Sequence, residues 1–331
     1  IIMVLTLLQA KVGMADKVDQ QVIDTFRRES FLMDALVYDD AVSPGAGGST
    51  LVYGYQQLKT PATAGFRALN NEYTANEAIK EAKTVKLAVL GGSFQIDRVI
   101  QATSAQTAEA AFQMEPKIKG TRNEFHNAII NGSSAVNANS FDGLNKLLTG
   151  TSTELGTAAV IDLTTMATQV AAFAFLDSID AFLSELDGRP TMLMGNTKLL
   201  NKIKSAARYA GYLTQSEDAF GRKIDAYDGI PLVDLGYYAS VSGGTASTAA
   251  VVGVFNRTVG TAQTGLTDLY AVNVGLDGFH GVTPMGGVGI SQYLPDFTQP
   301  GAVKTGEVEM VVGMALKNSR KAGVLRNIKV Q

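Results

Sequence analysis

The sequence contains no cysteine and no tryptophan, and it has only two histidines, His126 and His280. The lack of cysteine excludes disulfides, thiol nucleophiles and thiolate metal ligands. The two histidines are far apart in the sequence, and neither stands in a pattern of carboxylates that would suit a metal ion or a catalytic base. Both are therefore predicted to be packed or surface side chains, and we expect no catalytic residues, no metal and no cofactor.

Charged residues make up only 18% of the chain, and the formal net charge is -3. Tight binding of phosphate groups requires a basic face, so this balance argues against a dedicated nucleic-acid-binding protein and allows only weak contact. Long apolar runs are also missing, because the best helical candidate, 164–186, contains Asp177, Asp180 and Glu185, which are too costly in lipid. We expect no membrane partner.

The sequence does have enough apolar material for a large core. It has 331 residues, 46% of them hydrophobic, which excludes a disordered chain and allows about two domains. The combination of 34 glycines with few charges indicates that much of the surface is covered by something.

One long helix is predicted over 103–132. Thr103 and Gln106 form a T-x-x-Q capping box at its start, and Asn131-Gly132 supplies a stop. Pro116 lies inside the helix, and we expect a bend there because proline removes one backbone hydrogen bond. The apolar residues that would face the core recur every three or four positions: Ala111, Met114, Ile118, Phe125, Ala128 and Ile129. A helix of ~40 Å with one apolar stripe is typical of a structural strut.

Before this helix, two alternating segments predict an extended hairpin with strands at 49–59 and 84–90. The connection between them, 60–83, contains glycine, proline, asparagine and charged residues but few aliphatic ones. Such a long connection with little core material is uncommon in a compact domain unless it reaches out to bind something. The pair Gly91-Gly92 is expected to break the second strand as a hinge or bulge.

The second half of the chain alternates helices and strands, which predicts a compact α+β domain over 155–289. One helix is predicted at 164–186, with Val170 and Phe173 among its buried residues, and another at 197–209. Strands are predicted at 191–195, 224–235, 249–254 and 269–274.

A helix cap and a C-terminal hairpin are also predicted in this half of the chain. Asn196 stands directly before the helix at 197–209 and is predicted to cap it. Near the end of the sequence, the segments 303–316 and 323–330 are expected to pair as a long antiparallel hairpin about a turn at 317–322.

This order of elements resembles that of the major capsid proteins of tailed bacteriophages, which share the Hong Kong 97 fold. The likeness covers nearly the whole chain and lies in the order and spacing of its segments. These segments are VIDTFRRESFLMDAL (22–36), GFRALNNEYTANEA (65–78), VKLAVLGGSFQIDRVIQ (85–101), FDGLNKLLTG (141–150), GRPTMLMGNTKLL (188–200), DGIPLVDL (228–235) and GEVEMVVGMALKNSRKAGVLRNI (306–328).

The resemblance implies an α+β protein with the Hong Kong 97-type major capsid fold. Its parts would be an N-terminal arm (1–45), an extended E-loop hairpin (46–90), a peripheral domain (91–155) that contains the spine helix (104–131), an axial domain (156–289) and a return to the peripheral domain (290–331).

The function that the resemblance implies is structural, not enzymatic. Copies of the chain would assemble as pentamers and hexamers into an icosahedral shell around double-stranded DNA. The expected location is the virion capsid, after assembly in the host cytoplasm. Expected partners are other copies of the chain, portal protein, a scaffolding protein that is separate or already removed, a cement protein, and packaged DNA through weak non-specific contact.

Some members of that family join their subunits by an isopeptide bond between a lysine of the E-loop and an asparagine of a neighbour. Lys59, Lys80 and Lys83 lie in the predicted hairpin, but the segment 274–317 contains no asparagine. We therefore expect no covalent crosslink.

Charged residues on the hairpin, the long helix and the C-terminal turn are the candidate assembly contacts. The acidic ones are Glu72, Glu77 and Glu81, and the basic ones are Lys117, Lys119, Arg320 and Lys321. Ion pairs between subunits would be weak individually but would be repeated many times in a shell. The alternative is that all of them are ordinary solvated charges.

Two other functions remain open. An encapsulin-like compartment has the same fold but encloses cargo enzymes, and the arm and E-loop sequences favour the phage protein. A soluble α+β enzyme or ligand-binding protein could use the hairpin as a lid, but the glycine-rich segment 45–50 lacks the lysine of a phosphate loop. Asp177 and Asp180 are more typical of a solvated helix face than of a catalytic pair.

Overall fold

The computed structural model describes residues 31–40, 51–60, 62–103, 109–166, 168–211, 214–217, 223–242, 245–284 and 291–331. Most of the predicted arm, 1–45, and the glycine-rich segment 45–50 lie outside the described residues. The described helices are α1 (Phe31–Ala35), α2 (Arg98–Thr103), α3 (Glu109–Asn131), α4 (Leu144–Leu147), α5 (Gln169–Ser184) and α6 (Thr197–Ala210). None of them is both long and apolar enough to cross a membrane.

The strands belong to two main sheets and two separate hairpins. In chain order they are β1 (Tyr38–Asp39), β2 (Val52–Thr60), β3 (Ile79–Lys86), β4 (Ala88–Asp97), β5 (Glu154–Leu155), β6 (Ile161–Asp162), β7 (Met192–Met194), β8 (Thr214–Glu217), β9 (Lys223–Tyr227), β10 (Ile230–Val233), β11 (Tyr237–Ser242), β12 (Thr245–Ala250), β13 (Phe255–Val259), β14 (Thr261–Val272), β15 (Phe279–Val282), β16 (Ser291–Tyr293), β17 (Val303–Leu316) and β18 (Ala322–Lys329). A 3-10 turn (Ser319–Lys321) lies between the last two.

The larger sheet has the strand order β5-β18-β14-β7-β10-β9-β8, with β13 beside β14 and β6 beside β18. Strand β7 lies at its centre, parallel to β10 and antiparallel to β14. Because side chains alternate along a strand, consecutive residues of β7 face opposite sides of the sheet. Met192 and Met194 belong to one hydrophobic core, and Leu193 belongs to the other. The sheet therefore separates two cores.

Each core is covered by different helices. On one side, Phe125, Ile129 and Ile130 of α3 pack with Met192 and Met194 of the sheet. On the other side, the helices α5 and α6 pack over the strands. Their buried residues are Ala172, Phe175, Leu176, Ile179 and Phe182 of α5, and Leu199, Leu200, Ile203 and Ala206 of α6.

The smaller sheet is built around β17, the longest strand described. Strand β17 pairs antiparallel with β4 along 303–312 and with β15 along 313–316, and the short β16 also pairs with it. Strand β1 adds to β15 in parallel. Helix α3 packs against this ribbon through Met114, beside Phe94 and Val308.

Gly91 and Gly92 do not break a strand. They lie inside β4, opposite Glu309 and Val308 in an uninterrupted register, so the predicted hinge or bulge is wrong. A Cβ atom on Gly91 would lie 2.1 Å from the carbonyl oxygen of Val308, so the two backbones approach more closely than a side chain allows. Close backbone approach is the other use of glycine within a strand.

The substitution Gly91→Ala is therefore expected to destabilise the subunit by about 1–3 kcal/mol, because β4 and β17 must move apart. Urea unfolding followed by circular dichroism measures the change. The matched control is Gly54→Ala in β2, where a Cβ atom would meet nothing within 4 Å. Equal unfolding midpoints for the two variants would contradict this explanation.

Of the helix predicted over 103–132, the structure describes Thr103, in α2, and 109–131, which form α3. Helix α2 ends at Thr103, whose hydroxyl donates a hydrogen bond of 2.8 Å to the carbonyl oxygen of Val99. Gln106, the partner of Thr103 in the predicted capping box, lies outside the described residues. The long helix α3 does contain Pro116, as expected.

The predicted apolar stripe of this helix is largely confirmed. The buried members are Met114, Phe125, Ala128 and Ile129. Ala111 is exposed, and Thr121 is buried instead, with its hydroxyl bonded to the carbonyl oxygen of Lys117 at 2.9 Å. A threonine can enter an apolar stripe because the preceding helical turn satisfies its hydroxyl group.

The C-terminal strands do not pair with each other as expected. Strand β17 belongs to the smaller sheet, and β18 inserts between β5 and β14 of the larger one. The 3-10 turn carries the chain from one sheet to the other. The two strands were predicted correctly, and their partners were not.

Other predicted strands have different bounds. The segment 224–235 is two strands, β9 and β10, which pair about a turn at Asp228 and Gly229. Both turn residues have positive φ angles, 47° and 72°, as a tight hairpin of the primed type requires. The segment 249–254 is a strand only at its start, because β12 ends at Ala250.

The helix predicted at 164–186 is confirmed, although α5 begins later, at Gln169, and its buried face is confirmed only in part, at Ile179, Phe182 and Leu186. Helix α5 is capped by Thr168, whose hydroxyl accepts a hydrogen bond from the backbone N–H of Ala171. Val170 and Phe173, both predicted to be buried, are 77% and 40% exposed. The helix is apolar on both sides, so the apolar pattern alone did not identify the inward face.

Candidate assembly site

The connection between β2 and β3 is the most exposed part of the described chain. All residues from 62 to 78 are exposed, and none of them belongs to a hydrophobic core. Phe66 is fully exposed, and Leu69 and Tyr73 are 92% and 65% exposed. Exposed apolar side chains that lie close together mark a surface that binds another protein.

Local contacts shape this connection. The guanidinium of Arg67 lies 5.3 Å from the ring centroid of Tyr73 and donates a hydrogen bond to the carbonyl oxygen of Asn71 at 3.2 Å. Thr63 and Asn76 hydrogen-bond to each other across the loop, with the Thr63 N–H 3.3 Å from the Asn76 Oδ1. We define residues 62–78 as the tip of the hairpin.

The base of the hairpin is firmly attached to the subunit. The hydroxyl of Tyr53 donates to the carboxylate of Asp39 at 2.8 Å, and the hydroxyl of Tyr55 donates to the carbonyl oxygen of Leu316 at 3.0 Å. Burial and the Asp39 hydrogen bond both raise the pKa of Tyr53. Leu87 and Val282 pack against Tyr53 in a small core of their own. An anchored base and an exposed tip suit a projecting element that contacts something outside the subunit.

The predicted acidic contacts lie on or near this hairpin. Glu72 and Glu77 are exposed on the tip. Glu81, in β3, lies 3.3 Å from the amine of Lys83, and both side chains are about two-fifths exposed. An ion pair of this kind on the surface contributes little to stability.

The predicted basic contacts all have neighbours within the subunit. Lys119 pairs with Glu115 one helical turn away, at 2.6 Å. Arg320 donates to the carbonyl oxygen of Glu185 at 3.2 Å. The amine of Lys321 lies between the carboxylates of Asp187 and Asp277, at 3.6 and 3.8 Å. Lys117 is half-buried, and its amine lies beside Gly92 of the β4–β17 ribbon.

The structure therefore does not bring the acidic and basic candidates together within one subunit. The acidic candidates are on the hairpin, and the basic ones are on α3 and on the turn before β18. Their pairing between subunits stays a prediction.

A buried charge network was missed by the sequence analysis. The carboxylate of Asp268, in β14, accepts two hydrogen bonds from the guanidinium of Arg257 at 2.6 and 2.7 Å. It also accepts the backbone N–H of Asn327 at 3.1 Å and lies 3.4 Å from the guanidinium of Arg326, which pairs with Glu154. Two arginines and two carboxylates thus balance one another at the junction of β5, β13, β14 and β18.

Both histidines are buried, as expected for packed side chains. His126 is 4% exposed on α3, and His280 is fully buried in β15. Burial lowers the pKa of His126 to about 4, assisted by the nearby charge of Arg122 and opposed by a hydrogen bond with the backbone of Leu235. Burial also lowers the pKa of His280. Both rings are therefore neutral in the folded subunit at neutral pH.

The burial of both histidines predicts that the folded subunit loses stability in acid. At a pH below 6.5, the usual pKa of histidine, the unfolded chain binds a proton at His126. The folded chain does not bind this proton until the pH falls to about 4. Stability therefore falls as the pH drops between these values, by up to about 1.4 kcal/mol per unit for each such histidine. Urea unfolding at pH 7.5 and 5.0 should show the loss. The double variant His126→Gln, His280→Gln should show a smaller one, and an unchanged loss in that variant would contradict this origin.

The described residues offer little for enzyme chemistry. They contain no group of three or more histidine, aspartate or glutamate side chains that could hold a metal ion. Of the two acids on α5, Asp180 accepts a hydrogen bond from the hydroxyl of Tyr227 at 2.6 Å. Asp177 is exposed.

An open cleft of about 550 Å³ lies between the end of α3, the start of α6 and the hairpin β11–β12. Tyr237, Ala249 and Phe255 line it together with Asn131, Asn196 and Lys198. The amides of Asn131 and Asn196 are already bonded to the backbone carbonyls of Val251 and Val252. The described residues that line the cleft include no aspartate, glutamate or histidine.

Comparisons with known proteins bear on the fold. No protein-family model and no curated protein sequence matches this chain. A chain of the holo-SrpI encapsulin complex from Synechococcus elongatus matches with a TM-score of 0.62 at 14% identity, over 99% of this chain and 98% of its own. The capsid of the Myoviridae phage XM1 matches with a TM-score of 0.54 at 12% identity, over 94% of this chain and 97% of its own.

The chain has the Hong Kong 97-type capsid fold. The capsid of the cyanophage P-SCSP1u is similar to it in the same way, with a TM-score of 0.54, 13% identity and matches over 97% of this chain and 94% of its own. The predicted fold class is thus confirmed. At 12–14% identity the likeness establishes the fold alone, so the function of this capsid fold is inferred from its surfaces.

Proposed function

We propose that this chain is the major capsid protein of a tailed bacteriophage. It is a structural protein, not an enzyme, and its copies assemble as pentamers and hexamers into an icosahedral shell around double-stranded DNA. The observation that carries the proposal is the projecting hairpin on a chain with the capsid fold, because its tip exposes Phe66, Leu69 and Tyr73 on a firmly anchored base. In the shell, the surface of a neighbouring subunit covers this tip.

We assign the parts of the subunit as the resemblance of the sequence implies. The arm is 1–45, the E-loop is 46–90, the peripheral domain is 91–155 with a return at 290–331, and the axial domain is 156–289. Helix α3 is the spine helix, predicted at 104–131. Both cores on the two sides of the larger sheet contain residues of the proposed peripheral and axial domains, so the two domains share one sheet.

Contacts between copies use different surfaces of each subunit. A closed shell needs such head-to-tail contacts, in which a patch of one copy meets another patch of the next. The acidic residues Glu72, Glu77 and Glu81 of one E-loop meet basic residues of another subunit. These are Lys117 and Lys119 of the spine helix and Arg320 and Lys321 of the C-terminal turn.

Other partners follow from the same role. The shell binds a portal protein and a scaffolding protein, and cement proteins reinforce it because no covalent crosslink is expected. Packaged DNA makes weak, non-specific contact, in keeping with a net charge of -3. The protein resides in the virion capsid and assembles in the host cytoplasm.

The second candidate is an encapsulin-like compartment, which is favoured by one observation. The encapsulin chain matches with a TM-score of 0.62, against 0.54 for the capsids of phage XM1 and cyanophage P-SCSP1u. The two functions differ in contents, because a virion encloses DNA and an encapsulin encloses protein cargo.

Negative-stain electron microscopy of particles from cells that produce the chain, with the phage's scaffolding protein, tests the proposal. Closed shells of uniform diameter are the expected result. Nuclease treatment of the particles, before their contents are extracted, then separates the two candidate functions. Protected DNA in particles from infected cells indicates a virion. Protected protein cargo indicates a compartment. Dispersed monomers under these conditions would overturn both and favour a lidded binding protein.

A further inference from the structure

Helix α5 is apolar on the side that faces away from the core. Its exposed residues recur every three or four positions and form one stripe, which we call the outer stripe: Gln169, Val170, Phe173, Ala174, Asp177, Asp180, Ala181 and Ser184. Asp177 and Asp180 are its charged members, and Asp180 already accepts a hydrogen bond from the hydroxyl of Tyr227. The opposite side of the helix is already filled with buried side chains that include Phe175, Ile179 and Phe182.

An ordinary surface helix is apolar on one side and charged on the other. Here Val170 is 77% exposed and Phe173 is 40% exposed. A helix that is apolar on both sides is expected to be buried on both sides. Within the part of the chain that the structure describes, only the inner side of this helix is covered, so the outer stripe suits contact with another molecule.

Helix α6 is the electrostatic opposite of α5. It contains Lys198, Lys202, Lys204 and Arg208 and no acidic residue, whereas α5 contains Asp177 and Asp180 and no basic residue. Lys204 is paired with Asp225 inside the subunit at 2.7 Å. Arg208 and Tyr209 are exposed near the end of α6.

We propose that the outer stripe of α5 binds the exposed face of α6 from a second copy of this chain, with Asp177 opposite Arg208. The inference rests on the proposed shell function, which supplies identical copies as neighbours. Within one subunit the two helices pack side by side, with the amide of Gln169 3.3 Å from the carbonyl oxygen of Tyr209. A contact between α5 of one copy and α6 of the next is therefore head-to-tail, and such contacts form a ring when the rotation from copy to copy closes.

The charge reversal is the more specific test. The single variants Asp177→Arg and Arg208→Asp each place like charges at the contact and should reduce pentamers, hexamers and particles. The double variant restores opposite charges and should recover assembly. Failure of the double variant, where both single variants remain folded, would overturn α6 as the partner.

Phe173 tests the apolar part of the contact. Phe173→Glu should reduce particle yield by at least about 10-fold, because a buried aromatic side chain at the centre of an interface is a typical hot spot. Phe173→Leu keeps the stripe apolar and should assemble normally. Sedimentation velocity measures assembly, and circular dichroism confirms that each variant is folded.

The outcomes separate this inference from the proposed function. If Phe173→Glu is folded and assembles like the unmodified chain, the outer stripe is not an interface, and the shell function stands. If the unmodified chain forms no shell with its scaffolding protein, both are overturned.

Discussion

Replacement of residues 61–78 by the dipeptide Asn-Gly is expected to leave the subunit folded and to abolish closed shells. Thr60 and Ile79 are directly paired across the hairpin, so a two-residue turn can join them without disturbing the strands. No residue of the tip, 62–78, belongs to a core. Shortening the loop changes the closure entropy slowly, so the free energy of unfolding should change by less than about 2 kcal/mol.

Circular dichroism and urea unfolding measure the fold of this variant, and electron microscopy measures its assembly. The triple variant Phe66→Ser, Leu69→Ser, Tyr73→Ser keeps the length of the loop and removes its apolar side chains. We expect it to lower the particle yield as well, because the tip binds a neighbour through these groups. Normal particles from the shortened chain would show that the tip is not an assembly element.

Substitution of Asp268 by alanine should produce the largest loss of stability. The side chain of Asp268 is 2% exposed, and it satisfies the guanidinium of Arg257, the N–H of Asn327 and part of Arg326. Removal of one partner from a buried ion pair leaves an uncompensated charge, which costs about 3–5 kcal/mol. Urea unfolding of Asp268→Ala measures this loss.

Asp162→Ala is the matched control for this substitution. Asp162 is 43% exposed and lies 3.8 Å from the amine of Lys329 on the same strand β18 that carries Arg326. An exposed ion pair of this kind contributes less than about 1 kcal/mol. A loss in Asp268→Ala no greater than in Asp162→Ala would mean that the buried network does not hold this junction together.

The elements that the sequence predicted best are those with local signals. Asn196 was expected to cap the helix that follows, and its side chain accepts the backbone N–H of Lys198 at 3.0 Å. The bounds of helix α6 also agree closely with the prediction. Its apolar residues lie on one side and its lysines on the other, which is the pattern of an ordinary surface helix. Strand β7 is short, fully buried and flanked by turns, as its apolar run indicated.

Partners that are distant in the sequence could not be predicted in the same way. The segments of β17 and β18 have the alternation of strands, but nothing in that alternation tells which sheet each will join. For α5 the apolar residues are spread around the helix, so either side could have faced the core. The split of β9 from β10 had a signal, the Asp228-Gly229 pair, which is typical of a tight hairpin turn.

The candidate site was only partly predictable. A long connection with few aliphatic residues indicated an exposed tip, and residues 62–78 are exposed. The network around Asp268 draws its members from residues 154, 257, 268, 326 and 327, and no local pattern joins them. The outer stripe of α5 was hidden by its composition, because Val170 and Phe173 are residues that normally lie inside.

A cryo-electron microscopy reconstruction of the assembled particle would show whether the chain forms a capsid shell and what its tip contacts. The subunit is expected to fit as pentamers and hexamers of an icosahedral shell, with the tip at 62–78 lying on a neighbouring subunit. A reconstruction in which the tip folds back on its own subunit, or a sample that contains no closed shell in the presence of the scaffolding protein, would contradict the account.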